Sequence, residues 1–120
     1  MKIQQQIPLI EKILSPWQAK LGDEYLGYHN HVYRMVHCCL ALAECDDIAQ
    51  QKIFIAACFH DIGIWVADTV DYLPPSLPPA KQWLEDNDLA HWYEEIALMI
   101  TEHHKLSPYK GPHQRLVELF

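Results

Sequence analysis

The stretch Ile53-Phe54-Ile55-Ala56-Ala57-Cys58-Phe59-His60-Asp61-Ile62-Gly63 decides how this chain reads. From Ile53 to Phe59 every side chain is apolar, so a helix formed there has no polar face and belongs at the centre of a domain. The run is far shorter than a bilayer crossing requires. Two titratable residues, His60 and Asp61, follow where it stops, and Gly63 then breaks the backbone. A carboxylate at a helix C-terminus meets the negative end of the macrodipole, and burying it unpaired costs several kcal/mol, so a cation is expected nearby. A divalent metal, Arg34 or Lys105 could supply that charge, and an exposed His-Asp pair capping its own helix is the simpler reading.

Outward from this stretch, apolar spacing and punctuation divide the chain into about six helical pieces, with no strand. Upstream, Asp46-Asp47 offers an N-cap for the central helix. A helix over about Glu24 to Glu44 carries Val32, Val36, Cys39, Leu40 and Ala43 on one stripe, with His31, Arg34, Met35 and Cys38 beside it, which turns His31 partly inward. Ile7, Ile10, Ile13 and Leu14 mark a first helix, bent or ended near Ser15-Pro16, and Gly22 closes the segment that begins at Trp17.

Downstream, Gly63 to Pro79 loses periodicity and gathers Pro74-Pro75 and Pro78-Pro79, so it is expected to be a long connection that could act as a lid. Asp68, Thr69, Asp71 and Tyr72 in it are candidate pocket residues. Helices over about Ala80 to Asp86 and Leu89 to Lys105 follow, the second with Tyr93, Ile96, Ala97, Ile100 and His104 on one stripe. Gln114 to Phe120 opens an amphipathic helix that stops without a C-cap. The fold class expected is a single all-α bundle spanning residues 1–120.

The chain has 120 residues, half of them apolar, and a formal charge of −7. That length suits one domain with a real core. The acidic balance argues against gripping nucleic acid or anionic lipid, which requires clustered Lys and Arg. With no apolar segment of signal-peptide or membrane-spanning type, a soluble cytoplasmic protein is expected. Cys38, Cys39, Cys45 and Cys58 form no C-x-x-C pair and read as buried reduced thiols. Four Trp and six Tyr are compatible with an apolar patch and a homodimer.

An adjacent His and Asp cannot complete a coordination shell alone, so ligands from other helices are needed. His31 is the best placed, because a short link favours antiparallel packing of its helix on the one ending at His60. His29, His37, His91 and His113 read as packed or solvent-facing histidines. His91 and His103, if on one helix, lie about 18 Å apart along its axis. Only one end could reach the centre, and His103 and His104 are preferred.

Tyr28-His29-Asn30-His31-Val32-Tyr33-Arg34, followed later by His60-Asp61-Ile62-Gly63, resembles the H...HD core of the HD-domain phosphohydrolases, and Ile100-Thr101-Glu102-His103-His104 is similar to the histidine-bearing helix many members set beside the metal. The resemblance covers roughly Tyr28 to His104. It implies an HD-like helical fold and a divalent metal (Mn, Fe, Zn, Ni, Co or Mg) held by His31, His60 and Asp61, with His103 and His104 as further ligands. It also implies a small phosphorylated substrate such as a nucleotide. The family pattern adds a later aspartate, and no Asp follows Glu102. That ligand, with further C-terminal helices, is therefore expected beyond Phe120. Ile62-Gly63-Ile64-Trp65 lacks the Glu-Asp of alarmone hydrolases, and Pro108-Tyr109-Lys110-Gly111-Pro112 is not the Gly-Tyr-Pro element of cyclic dinucleotide hydrolases.

The chemistry implied is hydrolysis by metal-activated water. Asp61 orients the water, and Arg34, His103, His104 and Lys105 are candidates to meet the phosphate charge. Two other readings remain: a metal- or anion-binding module without turnover, and a di-iron oxygenase of the same superfamily, which needs a second histidine set.

Overall fold

The all-apolar run becomes the axis of the structure. In the computed structural model, which describes residues 6–67, 73–103 and 110–120, it forms the C-terminal half of helix α4 (Asp47–Phe59). Every residue from Ile53 to Phe59 is buried. The Asp46 side chain accepts a hydrogen bond from the Ala49 amide at 2.8 Å and caps the helix start, as its residue type predicts. Around α4 pack α1 (Pro8–Leu14), α3 (Tyr25–Leu42), α6 (Leu73–Asp86) and α7 (Tyr93–Thr101). Short α2 (Gln18–Leu21) and α5 (Gly63–Ala67) join their neighbours, and α8 (Gln114–Leu119) lies against α7. Among the described residues there is no strand, so the class is all-α. The radius of gyration of 13.6 Å is what a single packed domain of this length has, about 14 Å.

The first helix follows its apolar spacing, with Ile10, Ile13 and Leu14 all buried. It ends at Leu14, directly before Ser15-Pro16, where the chain tightens into a 3₁₀ turn (Ser15–Trp17) and then re-enters helix as α2. Gly22 then closes α2 at φ 58°, where a Cβ would be strained. A polar network docks α1 on α3: Glu11 Oε2 lies 2.8 Å from His29 Nε2 and accepts the Tyr33 hydroxyl at 2.5 Å, while the Tyr33 oxygen accepts the Ile7 amide at 2.9 Å.

Three expectations are corrected. Much of Gly63 to Pro79 is helical, not an aperiodic connection. Pro74 and Pro75 occupy the first turn of α6, where amides have no helical partner to lose, and burial of Ser76, Ala80 and Leu84 outweighs the interruption at Pro78 and Pro79. The helix expected over Leu89 to Lys105 is shorter: a 3₁₀ turn (Ala90–Trp92) leads into α7, and Glu102-His103 is already a turn. Cys38 is exposed and Cys45 half-buried; only Cys39 and Cys58 are buried thiols, Cys38 lying off the buried α3 stripe of Val32, Val36 and Cys39. Asp68, Thr69, Asp71, Tyr72, His104 and Lys105 lie outside the described residues.

Candidate metal centre

The centre is built where α4 runs out of helical partners. The last carbonyls of a helix are left without amides, and here each has another donor. His60 folds its own ring back so that Nδ1 reaches the Ala57 carbonyl at 2.5 Å. The Tyr28 hydroxyl donates to Cys58 O at 2.7 Å, the Ile62 amide to Phe59 O at 3.2 Å, and the Ser76 hydroxyl to His60 O at 3.5 Å. The amides of the turn are held in the same manner: Asp61 N–H points to the Tyr28 oxygen at 3.4 Å and Gly63 N–H to Ser76 Oγ at 2.8 Å. His60 and Asp61 therefore leave α4 on a fully partnered turn.

The Nδ1 contact requires a proton on that nitrogen, since a carbonyl only accepts, and turns Nε2 of His60 toward the centre. His103 repeats the device at the end of α7, with Nδ1 2.5 Å from the Ile100 carbonyl. Both Nε2 atoms are aimed at Asp61: His60 Nε2 is 3.1 Å from Oδ2 and His103 Nε2 is 3.6 Å from Oδ1. From α3, His31 Nε2 comes within 3.0 Å of His60 Nε2 and 3.3 Å of Asp61 Oδ2. Acceptor atoms crowd this closely only around positive charge, whether protons on the imidazoles or a metal ion.

The triangle of His31 Nε2, His60 Nε2 and Asp61 Oδ2 fits a metal. A divalent ion with bonds of about 2.1 Å holds neighbouring ligands about 3.0 Å apart in octahedral and about 3.4 Å in tetrahedral geometry, and the three edges span that interval. Two imidazoles with one carboxylate suit zinc, iron, manganese or nickel. Asp61 Oδ1 is buried with no partner at hydrogen-bond distance, His103 Nε2 standing just beyond at 3.6 Å, which leaves room for a cation to draw the two together. Burial alone would raise the Asp61 pKa; interactions with the His103 and His60 rings outweigh it and hold the carboxyl well below the usual range. Burial, followed by the charge of His60, depresses the pKa of His31 against the pull of Asp61, so its nitrogen stays free to ligate at lower pH than an ordinary histidine.

The centre is open on one side. The His31 side chain is 46% exposed while that of His60 is 1% exposed, so access is from the α3 face. Arg34, one turn beyond His31, is exposed, makes no ion pair with Asp61 among the described residues, and adds positive charge felt at His31. On the inner side the Phe120 ring stands edge-on to His60, with centroids 5.9 Å apart, and packs 6.1 Å from His103. Of the residues expected to meet, His31, His60, Asp61 and His103 do. His29 pairs with Glu11, His113 lies near Glu94 and Glu95, and His91 packs on Trp92.

Tyr28 and Ser76 were not anticipated as part of the site. Tyr28 carried a signal, since it sits one turn before His31 and brings a polar tip to an inward face. Ser76 carried none, because its contacts cross between elements far apart in sequence. No model of a known family matches this chain, nor does any curated protein or solved structure with which it was compared.

Proposed function

We propose that the chain is a metal-dependent phosphohydrolase of the HD type, a cytoplasmic enzyme acting on a small phosphate ester. The observation that carries this reading is the convergence of His31 Nε2, His60 Nε2 and Asp61 Oδ2 within 3.3 Å at a site open to solvent through His31. The resemblance of His31 and His60-Asp61 to the H...HD core supports it. So does His103, which reaches the same carboxylate from α7.

A divalent ion held by His31, His60 and Asp61 supplies Lewis acidity and a water of lowered pKa. The protein's own groups do the rest. With Nδ1–H of His60 and His103 committed to backbone carbonyls, Nε2 is the nitrogen each ring would present to a metal, the arrangement that orients metal-binding imidazoles. Asp61, held ionised by the His60 and His103 rings, would help orient the attacking water as an acceptor. Arg34 stands on the open side, where an exposed guanidinium can receive phosphate oxygens without first breaking an ion pair with Asp61. The new P–O bond forms to water as the ester P–O bond breaks; the attacking water loses a proton to solvent and the leaving alkoxide takes one up from it.

One observation favours a second reading, metal binding without turnover: the apolar edge of Phe120 lies beside His60 and His103, where a further ligand would enter. Elemental analysis of the purified protein beside His60→Ala and Asp61→Ala, followed by a panel of phosphomonoesters and phosphodiesters on metal-loaded protein, separates the two. Near-stoichiometric metal lost in both variants, with turnover, supports the enzyme. Metal without turnover supports the binding module, and no metal uptake under several loading conditions refutes both. Bound iron with a visible absorption band would point instead to oxygen chemistry.

A further inference from the structure

We propose that Tyr28 and Ser76 are positioning residues, a pair of buried hydroxyls that set the metal affinity of the His60-Asp61 turn by clamping it from two different helices. The inference deepens the metal-centre reading and rests on it. Between Cys58 and Gly63 the helical ladder has stopped and α5 has not begun, so the direction in which His60 and Asp61 project depends on what holds their peptide groups. Two hydroxyls do so. Tyr28 on α3 bonds Cys58 O at 2.7 Å and receives Asp61 N–H at 3.4 Å; Ser76 on α6 receives Gly63 N–H at 2.8 Å and reaches His60 O at 3.5 Å. Tyr28 is 5% exposed and Ser76 0%, so water cannot readily stand in for either. The Tyr28 ring also lies nearly parallel to His60, 6.2 Å between centroids and 23° between planes.

The packing requirement alone would be met by Phe at position 28 and Ala at position 76. The hydroxyls add direction to the turn; groups bonded to the ligand side chains themselves are worth about 10–100-fold in metal affinity, and hydroxyls that fix the ligands' peptide groups act on the same geometry.

The test uses cobalt(II), whose visible bands report ligand geometry, on the full chain and on Tyr28→Phe, Ser76→Ala and Tyr33→Phe, with amide exchange measured on the metal-free proteins. Tyr33→Phe is the control, since its hydroxyl serves Glu11 and Ile7 and not the turn. Expected results are cobalt affinity lowered at least tenfold with an altered spectrum in Tyr28→Phe and Ser76→Ala, and no change in Tyr33→Phe. The Asp61 amide should exchange faster in Tyr28→Phe and the Gly63 amide faster in Ser76→Ala. Cobalt bound by both clamp variants within twofold of the parent, with the same spectrum, overturns the clamp and leaves the metal reading standing. A parent protein that takes up no cobalt overturns the metal reading and the clamp's role in it together. Should Tyr28→Phe fail to fold, Ser76→Ala decides by the same two measurements.

Discussion

The Nε2 atoms of His31 and His60 lie 3.0 Å apart, although one side chain is half exposed and the other sealed in the core. The two should therefore respond differently to removal. His31→Ala is expected to abolish metal uptake while changing unfolding free energy by no more than about 0.5 kcal/mol, as for an exposed helix position. His60→Ala should abolish metal uptake and also destabilise the metal-free fold by about 1–3 kcal/mol, because it strands the Ala57 carbonyl. Equal denaturation midpoints for the two metal-free variants would count against this division.

Arg34 is expected to act on the substrate and not on the metal. Arg34→Ala should retain the parent's metal content and bind inorganic phosphate about tenfold more weakly, the loss of one charge-assisted contact of about 1.4 kcal/mol. Arg34→Lys should recover only part of it, since an ammonium cannot make the bidentate contact. Calorimetric titration of metal-loaded protein with phosphate checks this, and unchanged affinity in Arg34→Ala would remove Arg34 from the site.

Acid stability should report on the Glu11 network that docks α1 on α3. Burial would raise the Glu11 pKa, but the Tyr33 and His29 hydrogen bonds and the His29 charge more than offset this and lower it from its ordinary value near 4.5. A carboxylate depressed in the folded state stabilises the fold above its unfolded pKa, and that share is lost as pH falls through the folded value. Thermal melts should thus decline as pH drops below about 4.5. Glu11→Gln should lower stability at pH 7 and make that decline shallower; an acid limb of unchanged slope would contradict the assignment.

Thiol accessibility should divide the cysteines. With a charged alkylating reagent, Cys38 is expected to react first, Cys45 more slowly, and Cys39 and Cys58 only on unfolding. Peptide mass spectrometry after timed quenching reads the order directly, and early labelling of Cys58 would mean that α4 is not the buried axis.

Much was determined by local sequence. Ile53 to Phe59 could only be a central helix, because no face of it tolerates water. Asp46 was its cap, Gly22 a helix end, and Val32, Val36 and Cys39 a core stripe, since apolar spacing and side-chain chemistry act over one or two turns. His31, His60 and Asp61 were legible as a group through their motif and the short link between their helices. Tertiary structure decided the rest. Pro74, Pro75, Pro78 and Pro79 read as a broken chain, yet α6 forms because burial of Ser76, Ala80 and Leu84 outweighs what the prolines remove. Cys38 is exposed because it lies off the α3 stripe of Val32, Val36 and Cys39 that packing buries. His103 was already a candidate in the sequence, whereas which hydroxyls hold the turn follows from how α3 and α6 pack around α4. Hydrogen bonds between residues dozens of positions apart leave no period in a sequence, so only the folded chain reveals them.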